Sequence, residues 1–368
     1  MSLGSVSLNH KRGAQSIGVD NDSRSSRRVL ITGAANSLIP GPSSHKSGFM
    51  YAPFASKDMV AMVVGRNLSR SAKGQALYPM IARNDQEQEL LEEFRQEKIG
   101  ELGQKYKNIS GIVDSLRNKS NLPLDDKLAK LFGEAESALK ILERQDEVLR
   151  RIEIRSNEAG QELSRLQPNH DKLYIIGHGG AGMNMLAADP ECREGRVTGK
   201  DVARQLADGG LDKAFVDIRI SACYSADSRR PMSFHRQDLE RAAEPDTKRG
   251  GLLGVFGTRV VTREAFAQTL SNELNRVGFT QASVVGYHGA GVVYSNGDHQ
   301  MQCLPDTKHE DIRSSTVRQH FAPSAAAQKI RTGNAGSGRG VRGILKMAAR
   351  PFQQLGRLVS SAISRSMR

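Results

Sequence analysis

Apolar positions along this chain recur with two different periods, and the change from one to the other divides it. Residues 85–167 are charged and helical in pattern. Within them Leu128, Leu131, Ala135, Ala138, Leu142, Leu149, Ile152, Ala159, Leu163 and Leu166 follow three- and four-residue steps. This is a heptad seam on a long helix, interrupted at Gln145 and Ser156 and ended by Pro168. Pro123 with Asp125 predicts a break and a fresh helix start ahead of it. The seam suits a helical hairpin packed on its own domain or, alternatively, an intermolecular coiled coil; the hairpin is the preferred expectation.

Beyond Pro168 short apolar runs alternate with amphipathic ones. Strands are predicted at 172–176, 215–221 and 282–285, and helices at 198–207, with Thr198 as cap and Asp201 three residues on, and at 264–277, stopped by Gly278. Strand–helix–strand alternation at these lengths predicts an α/β domain, a mostly parallel sheet flanked by helices. Ahead of residue 85 there is a strand-like run at 29–32 and a second apolar run at 59–64 closed by Gly65. The expected organisation is a disordered segment at 1–27, a strand-containing region at 28–84, a helical segment at 85–167, an α/β domain at 168–312, and a linker and tail at 313–368.

Charge changes this picture at the ends. The net charge is +13, yet residues 312–368 hold 11 Lys/Arg and no Asp/Glu, and residues 29–311 are nearly neutral. Val341, Leu345, Ala348, Phe352, Leu355, Val359 and Ile363 trace one helical face, and Arg342, Lys346, Arg350, Arg357 and Arg365 occupy the rest. A basic amphipathic tail of this kind suits an anionic membrane surface or an acidic partner groove. With aromatics at 5% and no Trp, stacking on bases is not expected, which argues against nucleic acid. No apolar run has the length of a membrane span, and the first residues lack the apolar stretch of a signal peptide. The expectation is a cytoplasmic protein, or one delivered into a host cytoplasm, with membrane association through the tail. Cys192, Cys223 and Cys303 are spaced for neither a disulfide framework nor a zinc site, so no metal is expected; Cys192 and Cys303 stand in polar sequence and read as incidental.

In a parallel sheet chemistry gathers beyond the carboxyl ends of the strands. The strand at 172–176 runs into Gly177-His178-Gly179-Gly180, and the strand at 215–221 into Ala222-Cys223. A cysteine nucleophile needs a base in reach and N–H donors for the developing oxyanion. His178 and Cys223 are therefore the expected catalytic pair, with the N–H groups of Gly179 and Cys223 as the oxyanion hole. His288, also flanked by glycine at a strand end, is a rival base, and Ser221, Ser225 and Asp227 flank the nucleophile.

The segments YIIGHGG at 174–180 and IRISACYS at 218–225 resemble the His-Gly and Ala-Cys signature of the caspase-like cysteine peptidases of clan CD. The stretch EAFAQTLSNELNRVG from 264, with the ASVVGYHG strand after it, is similar to the self-cleaving cysteine protease domain of large bacterial toxins. The resemblance covers about residues 170–297. It implies a Cys–His dyad with no obligatory third acid, a protein or peptide substrate that includes the chain itself, no required cofactor, and inositol hexakisphosphate as an activator. With the Ser-rich start and basic tail it suggests a secreted bacterial effector, a toxin-like virulence factor. The alternative is a non-enzymatic interaction protein on a degenerate caspase-like core, working through its helices and tail. Two further patterns fail. Gly177-x-Gly179-x-x-Gly182 formally matches a dinucleotide fingerprint, but Pro190 cuts the helix that should follow. HGGAG suits a lipase oxyanion loop, but the chain has no G-x-S-x-G elbow.

Overall fold

A computed structural model describes residues 47–118, 126–249, 259–292, 299–305 and 307–329. The run at 29–32, the segment at 1–27 and the tail face at 341–363 lie outside these residues. The strands are β1 (Ser47–Tyr51), β2 (Met80–Ala82), β3 (Ile154–Ser156), β4 (Asp171–Ile176), β5 (Met185–Ala187), β6 (Arg196–Thr198), β7 (Asp217–Ser221), β8 (Asp246–Arg249), β9 (Arg259–Arg263), β10 (Ser283–Tyr287), β11 (Ala290–Val292), β12 (Met301–Cys303), β13 (Ile312–Arg313) and β14 (Arg318–Phe321). The helices are α1 (Lys57–Ser71), α2 (Asp85–Asn118), α3 (Asp126–Arg151), α4 (Gly199–Asp208), α5 (Arg236–Ala243) and α6 (Phe266–Arg276).

Seven strands form one sheet in the order β14-β10-β7-β4-β1-β2-β3, parallel throughout except for antiparallel β14 at one edge. The α/β class and the mostly parallel, helix-flanked sheet follow the expectation. Its extent differs. β1, β2 and β3 come from sequence ahead of residue 168 and β14 from sequence beyond 312, so the sheet crosses the expected boundaries at 84, 167 and 312. These strands are three to five residues long, too short to leave a clear period in the sequence.

The central strands are apolar because both faces are covered. Leu173, Ile175, Ile176, Ile218, Ile220 and Val284 are fully buried, and truncating any of the Leu or Ile side chains to Ala would cost about 2–5 kcal/mol. Tyr51 reaches Gln205 of α4 on one face of β1, and α4 packs on α6 there. On the opposite face Gly48 lies against the Tyr78 ring, and Tyr78 is bound through its backbone to Asn67 of α1. α1 starts at Ser56, whose hydroxyl accepts from the Met59 N–H (3.4 Å) and donates to the Ala188 carbonyl (2.8 Å). It buries Met59, Val60, Val63, Val64 and Leu68, so the apolar run expected at 59–64 is the inner face of this helix.

α2 and α3 form an antiparallel hairpin, with Arg95 against Leu149 and Ile152, Tyr106 against Glu143 and Arg117 against Glu136. The hairpin expectation stands, with one correction. The helix ends at Arg151 rather than running to Pro168, because 154–156 leaves the seam to pair with β2 as the sheet edge. The capping box predicted at Thr198 and Asp201 is present: Asp201 N–H donates to Thr198 Oγ1 (3.2 Å) and Thr198 N–H to Asp201 Oδ2 (3.0 Å).

Candidate active site

β4 and β7 are neighbouring parallel strands in register, with Ile175 opposite Ile220 and Ile176 opposite Ser221. Two positions further on stand His178 and Cys223. β4 ends at Ile176 and β7 at Ser221, and within them Tyr174, Arg219 and Ser221 share one face. That is the α1 face, since Arg66 of α1 donates to Ser221 Oγ (2.9 Å) and lies over the Tyr174 ring. Gly179 passes so close to the Ala222–Cys223 turn that a Cβ there would sit 2.8 Å from the Cys223 carbonyl oxygen and 3.2 Å from Ala222 Cβ. Only glycine fits this approach.

His178 is held on three sides. Its backbone exchanges hydrogen bonds with Ala187 of β5 (2.9 and 3.0 Å), and its Nε2 is 2.8 Å from Asp58 Oδ2 in the first turn of α1. A carboxylate can only accept, so Nε2 carries a proton in this contact, and in the neutral ring the lone pair is then on Nδ1. Among the described residues no hydrogen bond joins the ring to the Cys223 sulfur. Nearby, Asp189 accepts from the N–H groups of Glu194 (2.6 Å) and Arg193 (2.8 and 3.1 Å). Those bonds, that of Glu194 foremost, hold its carboxyl below the usual range, and His178 adds to the effect.

Cys223 is half-buried at the start of a tight turn. Burial pushes its thiol up, and the N–H groups of Gly291 and of Cys223 itself oppose that rise. The next residue, Tyr224, has φ +55°, a left-handed backbone uncommon for a side-chain-bearing residue and often found at functional turns. The turn is pinned to the end of β10. Tyr224 N–H donates to the Gly289 carbonyl (2.7 Å), Ala226 N–H to the Tyr287 carbonyl (3.1 Å) and Tyr287 N–H to Ser225 Oγ (2.9 Å). Gly286 is required for this, since a Cβ would lie 2.9 Å from Ser225 and Ala226 backbone atoms.

His288 stands elsewhere. It is 2% exposed, just past the end of β10, with Nδ1 2.5 Å from Asp227 Oδ1. Asp227 is fully buried and also accepts from the Gly289 N–H (2.9 Å). His288, expected as a rival base, is thereby a fixture of the turn that follows Cys223, and Ser225 and Asp227 are its buried anchors. Ser221 does line the pocket beside Cys223, with Met62, Arg66, Tyr287 and Gln302. Cys192 lies in the loop after β5. Cys303 was expected in loop sequence; it lies instead in β12 opposite Ala290, where burial, Asp311 and Cys223 push its thiol up.

Sequence reasoning missed Asp58 and Arg66. Both sit on α1, more than 100 residues from the motifs; Ser56-x-x-Met59 with an acid in the first turn signals a helix start, not a catalytic partner. The resemblance implied a dyad with no obligatory third acid; Asp58 lies within hydrogen-bond distance of His178 Nε2 (2.8 Å). Among the described residues no group of three or more His, Cys, Asp or Glu side chains could hold a metal ion, and no helix is long and apolar enough to cross a membrane. No family model, curated protein or solved structure matches the chain.

Proposed function

We propose that this chain is a cysteine peptidase with a caspase-like core, in which Cys223 is the nucleophile, His178 the proton carrier and Asp58 the group that orients it. The observation that best supports this reading is the register of β4 and β7, which ends two residues short of His178 and of Cys223 on neighbouring strands, with Gly179 packed against the Ala222–Cys223 turn.

In the reaction, Nδ1 of His178 takes the Cys223 proton as the sulfur attacks the substrate carbonyl carbon. A C–S bond forms and the carbonyl electrons move to oxygen, which the N–H groups of Gly179 and Cys223 receive. Collapse of this intermediate breaks the C–N bond, and the leaving amine takes the proton from His178. Water, deprotonated by His178, then attacks the thioester. The C–S bond breaks, the acid product leaves, and the thiol regains its proton. Asp58 stabilises the imidazolium formed in each half of the cycle.

One observation favours the second reading, an interaction protein on a degenerate core: burial holds the resting Cys223 thiol up rather than down. The two readings part on a single assay. Incubating the full chain with a diverse peptide library and mapping new termini by mass spectrometry should yield products with the native protein and none with Cys223→Ala. Equal products from both, or none from either, would remove the peptidase reading.

A further inference from the structure

One stripe of α1 crosses the strand ends that carry the site. Asp58, Met62, Arg66 and Arg70 follow at four-residue steps and so stack on one side of the helix. Asp58 meets His178 beyond β4, and Met62 and Arg66 line the pocket beside Cys223. The Arg66 guanidinium carbon lies 4.6 Å from the ring centre of Tyr174 in β4 and 5.8 Å from that of Tyr287 in β10. One Nη donates to Ser221 Oγ (2.9 Å), at the last residue of β7. A single side chain of α1 thereby touches the three strands that run into His178, Cys223 and His288.

The seat that receives Arg66 is itself fixed. Arg219, opposite Tyr174 in the register of β4 and β7, binds Asp217 through two bonds of 2.7 and 2.9 Å. It also donates to the Tyr174 hydroxyl (3.4 Å). Tyr78 stacks on Tyr174 with ring centres 5.7 Å apart, and the Arg70 guanidinium carbon lies 3.8 Å from the Tyr78 ring centre. Cation–π attraction to fixed rings leaves the Arg66 guanidinium little freedom. Its contact with Ser221 is the one side-chain hydrogen bond between α1 and β7 among the described residues.

α1 is therefore tied to both halves of the site. In its first turn Asp58 meets His178 Nε2 (2.8 Å). Two turns on, about 12 Å along the axis, Arg66 holds the end of β7, two residues before Cys223. We infer that Arg66 is a positioning residue, which clamps α1 to the end of β7 and so sets the gap between the His178–Asp58 pair and Cys223. Its place in catalysis rests on the peptidase reading proposed above. It works by position rather than charge: the Cys223 thiol is shifted by burial and by the N–H groups of Gly291 and Cys223 itself. Position is enough, because a displacement of about 1 Å costs up to about a hundredfold in rate.

The test is a double-substitution cycle on the full chain. Native, Arg66→Met, His178→Ala and doubly substituted proteins are treated with a peptidyl acyloxymethyl ketone. The labelling rate of Cys223 is read by mass spectrometry, with circular dichroism confirming the fold. Arg66→Met is expected to slow labelling about 10- to 100-fold when His178 is present. It should change the rate by less than about twofold once His178→Ala has removed the base, because the gap then no longer matters. The pH at which iodoacetamide alkylation levels off should be the same with and without Arg66→Met. Should Arg66→Met unfold the chain, Ser221→Ala carries the same cycle, since it removes the hydroxyl and leaves the rings and α1 in place. Native-rate labelling in the single variant, an equal loss with and without His178, or an alkylation profile moved to higher pH would overturn the inference. If native Cys223 is not labelled at all, the peptidase reading falls and the clamp with it; labelling indifferent to Arg66→Met removes the clamp alone.

Discussion

The two histidines at strand ends, His178 and His288, look alike in sequence and do opposite things in the fold. Each follows a parallel strand, each is followed by glycine, and each meets a carboxylate. The His178–Asp58 pair is partly open, with side-chain exposures of 24% and 43%; the His288–Asp227 pair is sealed at 3% and 0%. One follows β4 next to Gly179, which packs against the Ala222–Cys223 turn. The other spends its carboxylate tying that turn to β10. What separates them is burial, one pair partly open to solvent and the other enclosed by the turn and the end of β10. In the proposed reading His178 carries the proton, while His288 and Asp227 support the turn that follows Cys223.

The comparison breaks most visibly on removing the rings one at a time. His178→Ala is expected to slow labelling of Cys223 by a peptide-based thiol-reactive probe by about 10²–10⁴-fold, the usual weight of a positioned base, with little change in urea stability. His288→Ala should do the reverse. It leaves the fully buried Asp227 with only the Gly289 N–H, so the chain should lose about 3–5 kcal/mol, read as a lower urea midpoint. Comparable stability losses from both substitutions would erase the distinction drawn between them.

A third expectation concerns pH. Burial raises the Cys223 thiol, so without substrate the reactive thiolate is scarce at neutral pH and accumulates as pH rises toward that raised value. Alkylation of Cys223 by iodoacetamide should therefore climb about tenfold per pH unit on the alkaline side of neutrality; a rate already flat at pH 7 would mean a preformed thiolate–imidazolium pair. The smallest effect is expected from Asp58→Asn, which keeps the shape but not the charge. A loss of about tenfold in probe labelling, from a weakened charged hydrogen bond, would show Asp58 acting through His178, and no change would leave it a helix-start residue.

The sequence carried the centre of this fold well and its margins poorly. β4, β7, β10, α4 and α6 announced themselves because buried parallel strands read as short apolar runs and surface helices as amphipathic ones. Thr198 and Asp201 marked a helix start that the structure retains. β2, β3 and β14 did not show, because three or four residues give too few alternations to register a period. The heptad seam ran on past Arg151 for a physical reason: Ile152 is buried under the same core as the helix residues before it, so the apolar spacing continues where the helix does not. Of the site, His178, Gly179 and Cys223 were legible as strand-end residues beside glycine. Asp58 and Arg66 were not, since each is an ordinary helix residue until α1 is laid across the ends of β4 and β7. Cys303 was misplaced because Met301 and Gln302 give its strand no apolar signature.

The central claim, that Cys223 is a nucleophile served by His178, meets its most direct test in one mapping experiment. The full chain is treated with a peptidyl acyloxymethyl ketone and digested, and the three cysteines are read by mass spectrometry in native and His178→Ala proteins. The expected result is an adduct on Cys223 alone in the native protein, with the yield on Cys223 falling by at least about a hundredfold once the base is gone. An adduct shared evenly among Cys192, Cys223 and Cys303, or one on Cys223 indifferent to His178→Ala, would contradict it.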